Sequence, residues 1–109
     1  MKLKIIDAHL HVGEDVYFDE IARAAQHENS MEHLEEQYRI HGILHGIVMG
    51  NLPVEDVNPR YAPFHSYCVG LDSRLCAMDN IEGSLPYIER HLQNKQCVGI
   101  KLYPGYSYF

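Results

Sequence analysis

The chain has no run of basic residues, no long apolar stretch, no Cys-x-x-Cys pair and no internal repeat or low-complexity tract. Each absence excludes something. With 9 Lys and Arg against 15 Asp and Glu, the net charge is −6, and without a basic patch nucleic acid is not an expected partner. No segment approaches the roughly 18 apolar residues of a membrane span, so no membrane partner is expected either. Lys2 and Lys4 precede the first apolar run without a signal-type apolar core between them, and the expected location is the cytoplasm. The 3 cysteines, Cys68, Cys76 and Cys97, are an odd count without knuckle spacing. They fit neither a disulfide framework nor a zinc finger and read as small buried hydrophobes in a reducing compartment.

What is present is one soluble-type domain spanning residues 1–109, with ordinary apolar (46%) and charged (22%) fractions. Its most informative stretch is Ile5-Ile6-Asp7-Ala8-His9-Leu10-His11-Val12-Gly13. The β-branched and apolar residues ending at glycine predict a short buried strand. Strand alternation would put Asp7, His9 and His11 on one face and Ile6, Ala8 and Leu10 on the other. Two imidazoles two residues apart can converge on one metal ion. Asp7, one step behind, can accept a hydrogen bond or support them from a second layer.

Downstream, Glu14–Asn29 is an acidic, polar insertion in which Phe18, Ile21, Ala22 and Ala25 recur at helical spacing, with Tyr17, Asp19 and Glu20 as candidate substrate-facing residues. Ser30 should cap a helix carrying Met31, Leu34, Tyr38 and His41 inward, and Gly42 should end it. Ile43–Gly50 follows as a strand apolar on both faces, as a buried parallel strand must be. His45 enters at its start and reads as structural. Asn58-Pro59 should open a helix reaching about Val69, with Tyr61, Phe64, His65 and Cys68 on its packing face. Arg74–Asn80 is the expected third strand. Ser84 should cap a third helix with Pro86 in its first turn and Leu85, Ile88 and Leu92 buried. Cys97–Tyr103 is the fourth strand, with Val98, Ile100 and Leu102 toward helices and Gly99, Lys101 and Tyr103 on the opposite, inner face. Strand–helix alternation at this spacing predicts right-handed crossovers and an all-parallel sheet, about (βα)3β.

The N-terminal Asp7-x-His9-x-His11 resembles the first-strand motif of the amidohydrolase superfamily, specifically the amidohydrolase-related branch of metal-dependent hydrolases. Val98-Gly99-Ile100-Lys101-Leu102-Tyr103-Pro104 is similar to the fourth-strand segment of that branch. Together the two segments span the chain but only about half of such an enzyme. The resemblance implies a partial (β/α)8 TIM barrel, since a complete one takes roughly 250 residues. It implies His9 and His11 as metal ligands, and Lys101 and Asp7 as catalytic-site groups. Lys101 would reach a carboxylate of the substrate or of Asp7, or bridge two metals in the manner of some relatives. It implies a divalent metal, zinc first, with manganese and iron also accepting imidazole and carboxylate ligands. The reaction class is hydrolysis or decarboxylation of a small carbonyl or carboxylate substrate by metal-activated water.

The family's further ligands, two histidines and an aspartate from later strands, have no counterpart in residues 1–109. The chain is therefore expected to be inactive in isolation, and its open strand edges to favour a homo-oligomer or a missing C-terminal half. The alternative is a non-catalytic metal-binding or oligomerisation module derived from the same fold. Other metal barrels that open with paired histidines, such as metal-dependent deoxyribonucleases and the polymerase-and-histidinol-phosphatase family, match the first segment but not the second.

Overall fold

A computed structural model describes residues 3–13, 16–71 and 81–102. Four strands and three helices follow in the order β1 (Ile5–Leu10), α1 (Val16–Ala24), α2 (Met31–His41), β2 (Ile43–Met49), β3 (His65–Leu71), α3 (Ile81–Leu92) and β4 (Cys97–Leu102). All three strand pairings are parallel, and the spatial order β1-β2-β3-β4 is the order of the sequence. The α/β class and the parallel sheet thus match expectation. Among the described residues no helix is long and apolar enough to cross a membrane.

The strongest local signals hold. Ser30 adopts extended backbone (φ −138°, ψ 153°), and its hydroxyl accepts the His33 N–H at 3.2 Å, which satisfies one of the orphan donors at the start of α2. Gly42 ends the helix at φ 73°, a left-handed conformation that a Cβ would strain. The inserted segment does form a helix, α1.

Several expectations are corrected, beginning with α2, where Tyr38 is buried but Met31 and His41 are exposed. The helix expected from Asn58 to about Val69 is absent. Residues 50–64 run without helix or strand, and β3 occupies the second half of the span. Pro59 and Pro63 remove donors four residues apart, and a residue before proline is pushed toward extended backbone. From His65 onward the burial of His65, Tyr67 and Val69 follows the period of a strand. The strand expected at Arg74–Asn80, with Cys76, lies outside the described residues.

α3 begins three residues before the expected cap and holds Pro86 in its interior. Its buried stripe is Ser84, Ile88 and His91, whereas Leu85 and Leu92 are exposed. His91 sets this rotation. One ring nitrogen meets the Tyr67 hydroxyl at 2.9 Å and the other the Val54 carbonyl at 2.9 Å, so a buried imidazole has both nitrogens satisfied.

β1 is not the buried strand its composition suggests. Among the described residues it lies at the sheet edge with one neighbour, and of its six residues only Leu10 is buried. At the other edge, Val98, Ile100 and Leu102 of β4 do face the outer side but remain exposed.

The core lies between the sheet's outer side and the helices. Leu10, Tyr38, Val48, Val54, Tyr67, Val69 and Ile88 form it. Val54 belongs to the irregular β2–β3 connection, so that segment does the covering that a helix would otherwise do.

A histidine pair at the carboxyl end of β1

Of the residues that the sequence singled out, the end of β1 brings His9 and His11 together. His9 and His11 lean toward each other until their Nε2 atoms are 3.3 Å apart, with ring centroids 5.3 Å apart. Two donors on a tetrahedral ion at about 2.0–2.1 Å are separated by roughly 3.3–3.4 Å. The pair is joined by a ring-to-ring hydrogen bond whose length is also the spacing of two donors on one ion.

His11 is the better described of the two. Burial first, then the Lys101 ammonium and the neighbouring His9, lower its pKa from the ordinary 6.5, while a hydrogen bond to the Met49 backbone opposes them. The net effect favours neutral imidazole, the form that ligates. A backbone partner is also the usual way a ligating imidazole is held in orientation. Phe18 of α1 stacks on the His11 ring at 6.3 Å between centroids and 18° between planes. The insertion thus lies over the pair. It is tied there by Asn29, whose amide donates to the Gly13 carbonyl at 2.9 Å and to Asp19 Oδ1 at 2.8 Å.

Lys101 lies on β4, yet its charge is felt at both His11 and Cys68. Cys68 shares a face with Gly99, since a Cβ on Gly99 would lie 3.3 Å from its sulfur. Lys101, two residues further along β4, therefore shares the face of Gly99 and Cys68. The Cys68 thiol is pushed up in pKa by burial and by Cys97, against the pull of Lys101.

Asp7 departs from the expected arrangement. Asp7 pairs with Gly46 and Leu10 with Val48, so three steps along β1 oppose two along β2. Partners in register project to the same face, so Asp7 joins Leu10 on the helix-covered side instead of joining the imidazoles. There its Oδ2 accepts the Tyr38 hydroxyl at 3.1 Å, and its Oδ1 accepts the His9 backbone N–H at 3.2 Å.

A groove of about 870 Å³ opens beside His11. From α1 it is lined by Phe18, Ile21 and Ala22, while Tyr17, Asp19 and Glu20, the expected substrate-facing residues, do not line it. Arg60 and Asn51 supply polar groups from the β2–β3 connection, and His27 and His33 from the far wall. His27 Nδ1 and His33 Nε2 are 3.0 Å apart. Sequence reasoning missed this second pair because its members stand six residues apart across a helix cap. It also treated Tyr38 only as a packing residue.

Among the described residues no group of three or more His, Cys, Asp or Glu side chains gathers around a common point. His9 and His11 are two donors, one fewer than a catalytic zinc site requires from protein. His45 stands apart from them, with its ring nitrogen 2.9 Å from Ser66 Oγ, as a structural residue would. In comparison with known proteins, the chain matches no family model, no curated protein and no solved structure.

Proposed function

We propose that this chain carries the metal-binding corner of a metal-dependent hydrolase barrel of the amidohydrolase-related kind, acting on a small carbonyl or carboxylate substrate by hydrolysis or decarboxylation. The observation that carries the reading is the 3.3 Å approach of His9 Nε2 to His11 Nε2 at the carboxyl end of a parallel strand. Sequential strand order adds to it. A doubly wound sheet reverses its strand order at a switch point, whereas a barrel adds each strand beside the last, as here.

His9 and His11 would hold a divalent ion, zinc first, with manganese or iron as substitutes. When bound, such an ion supplies Lewis acidity toward a carbonyl and acidifies a coordinated water. The chain's own residues do the rest. His11 stays neutral near pH 7 because burial and Lys101 disfavour its cation. Asp7 orients the strand segment that bears His9. Lys101 offers a cation to a substrate carboxylate beside His11. Phe18 lies nearly parallel to the His11 ring, which remains exposed. Among the described residues His9 and His11 are the two candidate ligands, so in this reading the isolated chain is expected to be inactive. The free thiols of Cys68 and Cys97 accord with a cytoplasmic setting.

A second reading, a non-catalytic metal-binding or assembly module, is favoured by one observation. Leu85, Leu92, Val98, Ile100 and Leu102 leave apolar side chains of α3 and β4 in water. In a barrel the outer face of β4 would be covered by the next helix. In a module it would be covered by another copy.

Metal analysis of the purified protein tests the shared premise. Wild type should retain zinc near one per chain, and His9→Ala and His11→Ala should each lose it. Equal metal content in all three would remove the assignment. Enzyme-like turnover of amide, ester or carboxylate substrates by the metal-loaded chain would refute its incompetence. Static light scattering over a dilution series separates the readings, with a monomer at every concentration excluding the assembly module.

A further inference from the structure

In a regular strand, residues i and i+2 stand side by side, roughly 6.6–7 Å apart, and their side chains run parallel. His9 and His11 bring their ring nitrogens together across that spacing. The register of β1 against β2 is irregular between Asp7 and Leu10, the stretch that holds His9. Within it the Asp7 carboxylate accepts the His9 N–H, which ties the backbone at His9 to Asp7. A carboxylate alone could swing about χ1. Here its second oxygen is held by the Tyr38 hydroxyl, which arrives from a different element.

The Tyr38 hydroxyl can reach Asp7 because of Gly46. Gly46 is Asp7's partner in the ladder, and a Cβ built on it would collide with Tyr38 Oη and approach Leu10 Cδ2 at 2.9 Å and His65 Cδ2 at 3.1 Å. The missing side chain is the passage through which α2 touches β1. α2 is in turn fixed at both ends by the Ser30 cap and the left-handed Gly42.

We infer that Tyr38 is a positioning residue for the His9–His11 pair, acting through Asp7 across Gly46. Burial, followed by the charge of Asp7, pushes the Tyr38 pKa well up, so the hydroxyl keeps the proton it donates. The inference rests on the metal-binding reading for its consequence, but the positioning itself can be observed without metal.

The experiment uses cobalt(II) as probe and the variants Tyr38→Phe, Gly46→Ala and Asp7→Asn. The first readout is the cobalt dissociation constant. The second is the set of imidazole ¹⁵N–¹H resonances of the metal-free chain, with His45 and His91 as internal controls. Tyr38→Phe should weaken cobalt about tenfold, at the lower end of the roughly 10–100-fold loss seen when an outer partner of a metal ligand is removed. It should move the His9 and His11 ring resonances and leave those of His45 and His91 in place. Gly46→Ala should reproduce the effect by displacing the hydroxyl. Affinity within twofold of wild type, with unmoved His9 and His11 resonances, overturns the inference.

If Tyr38→Phe does not fold, Asp7→Asn decides by the same readouts, because the amide cannot accept both hydrogen bonds. Movement of the two rings supports the inference, and their immobility overturns it. Should wild type bind no cobalt through His9 and His11, the metal reading fails, while the metal-free resonances still decide whether Tyr38 positions the pair.

Discussion

β1 and β3 belong to one parallel sheet and have similar lengths, yet water treats them oppositely. β3 has a strand on each side, and His65, Tyr67 and Val69 are at most 3% exposed. β1 has a neighbour on one side, and Ile6 is 62% exposed. β3 carries the core and β1 carries the candidate chemistry. Ionisable groups are costly to bury without partners, so an edge strand with an open end is where two imidazoles can be kept at low cost. The strand that stabilises the fold and the strand that would bind the ion are thus different strands, and substitutions should separate the two properties.

The largest expected effect is on the β3 side. Tyr67→Ala removes a fully buried ring and its bond to His91, and should destabilise by about 3–5 kcal/mol in urea unfolding. A loss under about 1 kcal/mol would mean that the core is not centred on β3. Next comes Ser30→Ala, which removes the cap of α2 and should cost about 1 kcal/mol without altering metal content.

His65 sharpens the comparison from within β3. It is fully buried, with neither ring nitrogen hydrogen-bonded. Burial, then His45, lower its pKa from 6.5, against the raising influence of Asp7. The sign follows. The unfolded chain takes up this proton more readily than the folded one, so stability is full above about pH 6.5 and declines as pH falls below it toward the depressed folded value. His65→Leu should flatten that decline and change stability at pH 8 by no more than about 1 kcal/mol, since an unpaired polar group is removed. Unfolding curves at pH 5 and pH 8 provide the check.

The smallest effect is on β1. His9→Ala should alter unfolding free energy by less than about 0.5 kcal/mol, as for other exposed positions, while abolishing metal binding. A large stability loss with metal retained would reverse the roles assigned to the two strands.

Several elements were legible in the sequence because their signals are local. The Ser30 cap and the Gly42 stop need only neighbouring backbone, and β2 and β4 announce themselves by apolar runs between glycine and turn residues. The misread region, Asn58–Val69, shows where locality fails. Asn-Pro is a good helix opening, and Tyr61, Phe64, His65 and Cys68 have helical spacing, but Pro63 and the pairing of β3 with β2 and β4 prevail. In α3 the composition pointed to a leucine stripe. The structure instead turns Ser84, Ile88 and His91 inward, because His91 has two polar partners on other elements.

The candidate site divides in the same way. His9, His11, Lys101 and Asp7 were all nameable from the sequence, because donor type and spacing are local properties. The sequence by itself determined that two imidazoles sit at the end of an early strand, that a parallel α/β sheet follows, and that no basic or membrane-spanning segment accompanies them. Only the tertiary structure decided that Asp7 turns to the helix side, that Tyr38 crosses Gly46 to hold it, and that Phe18 rather than Tyr17 covers His11. The first two outcomes depend on a one-residue slip between two strands and on a missing Cβ in the neighbouring strand, with Asp7 and Tyr38 thirty-one residues apart, while the third depends on how the inserted helix α1 folds back over the end of β1.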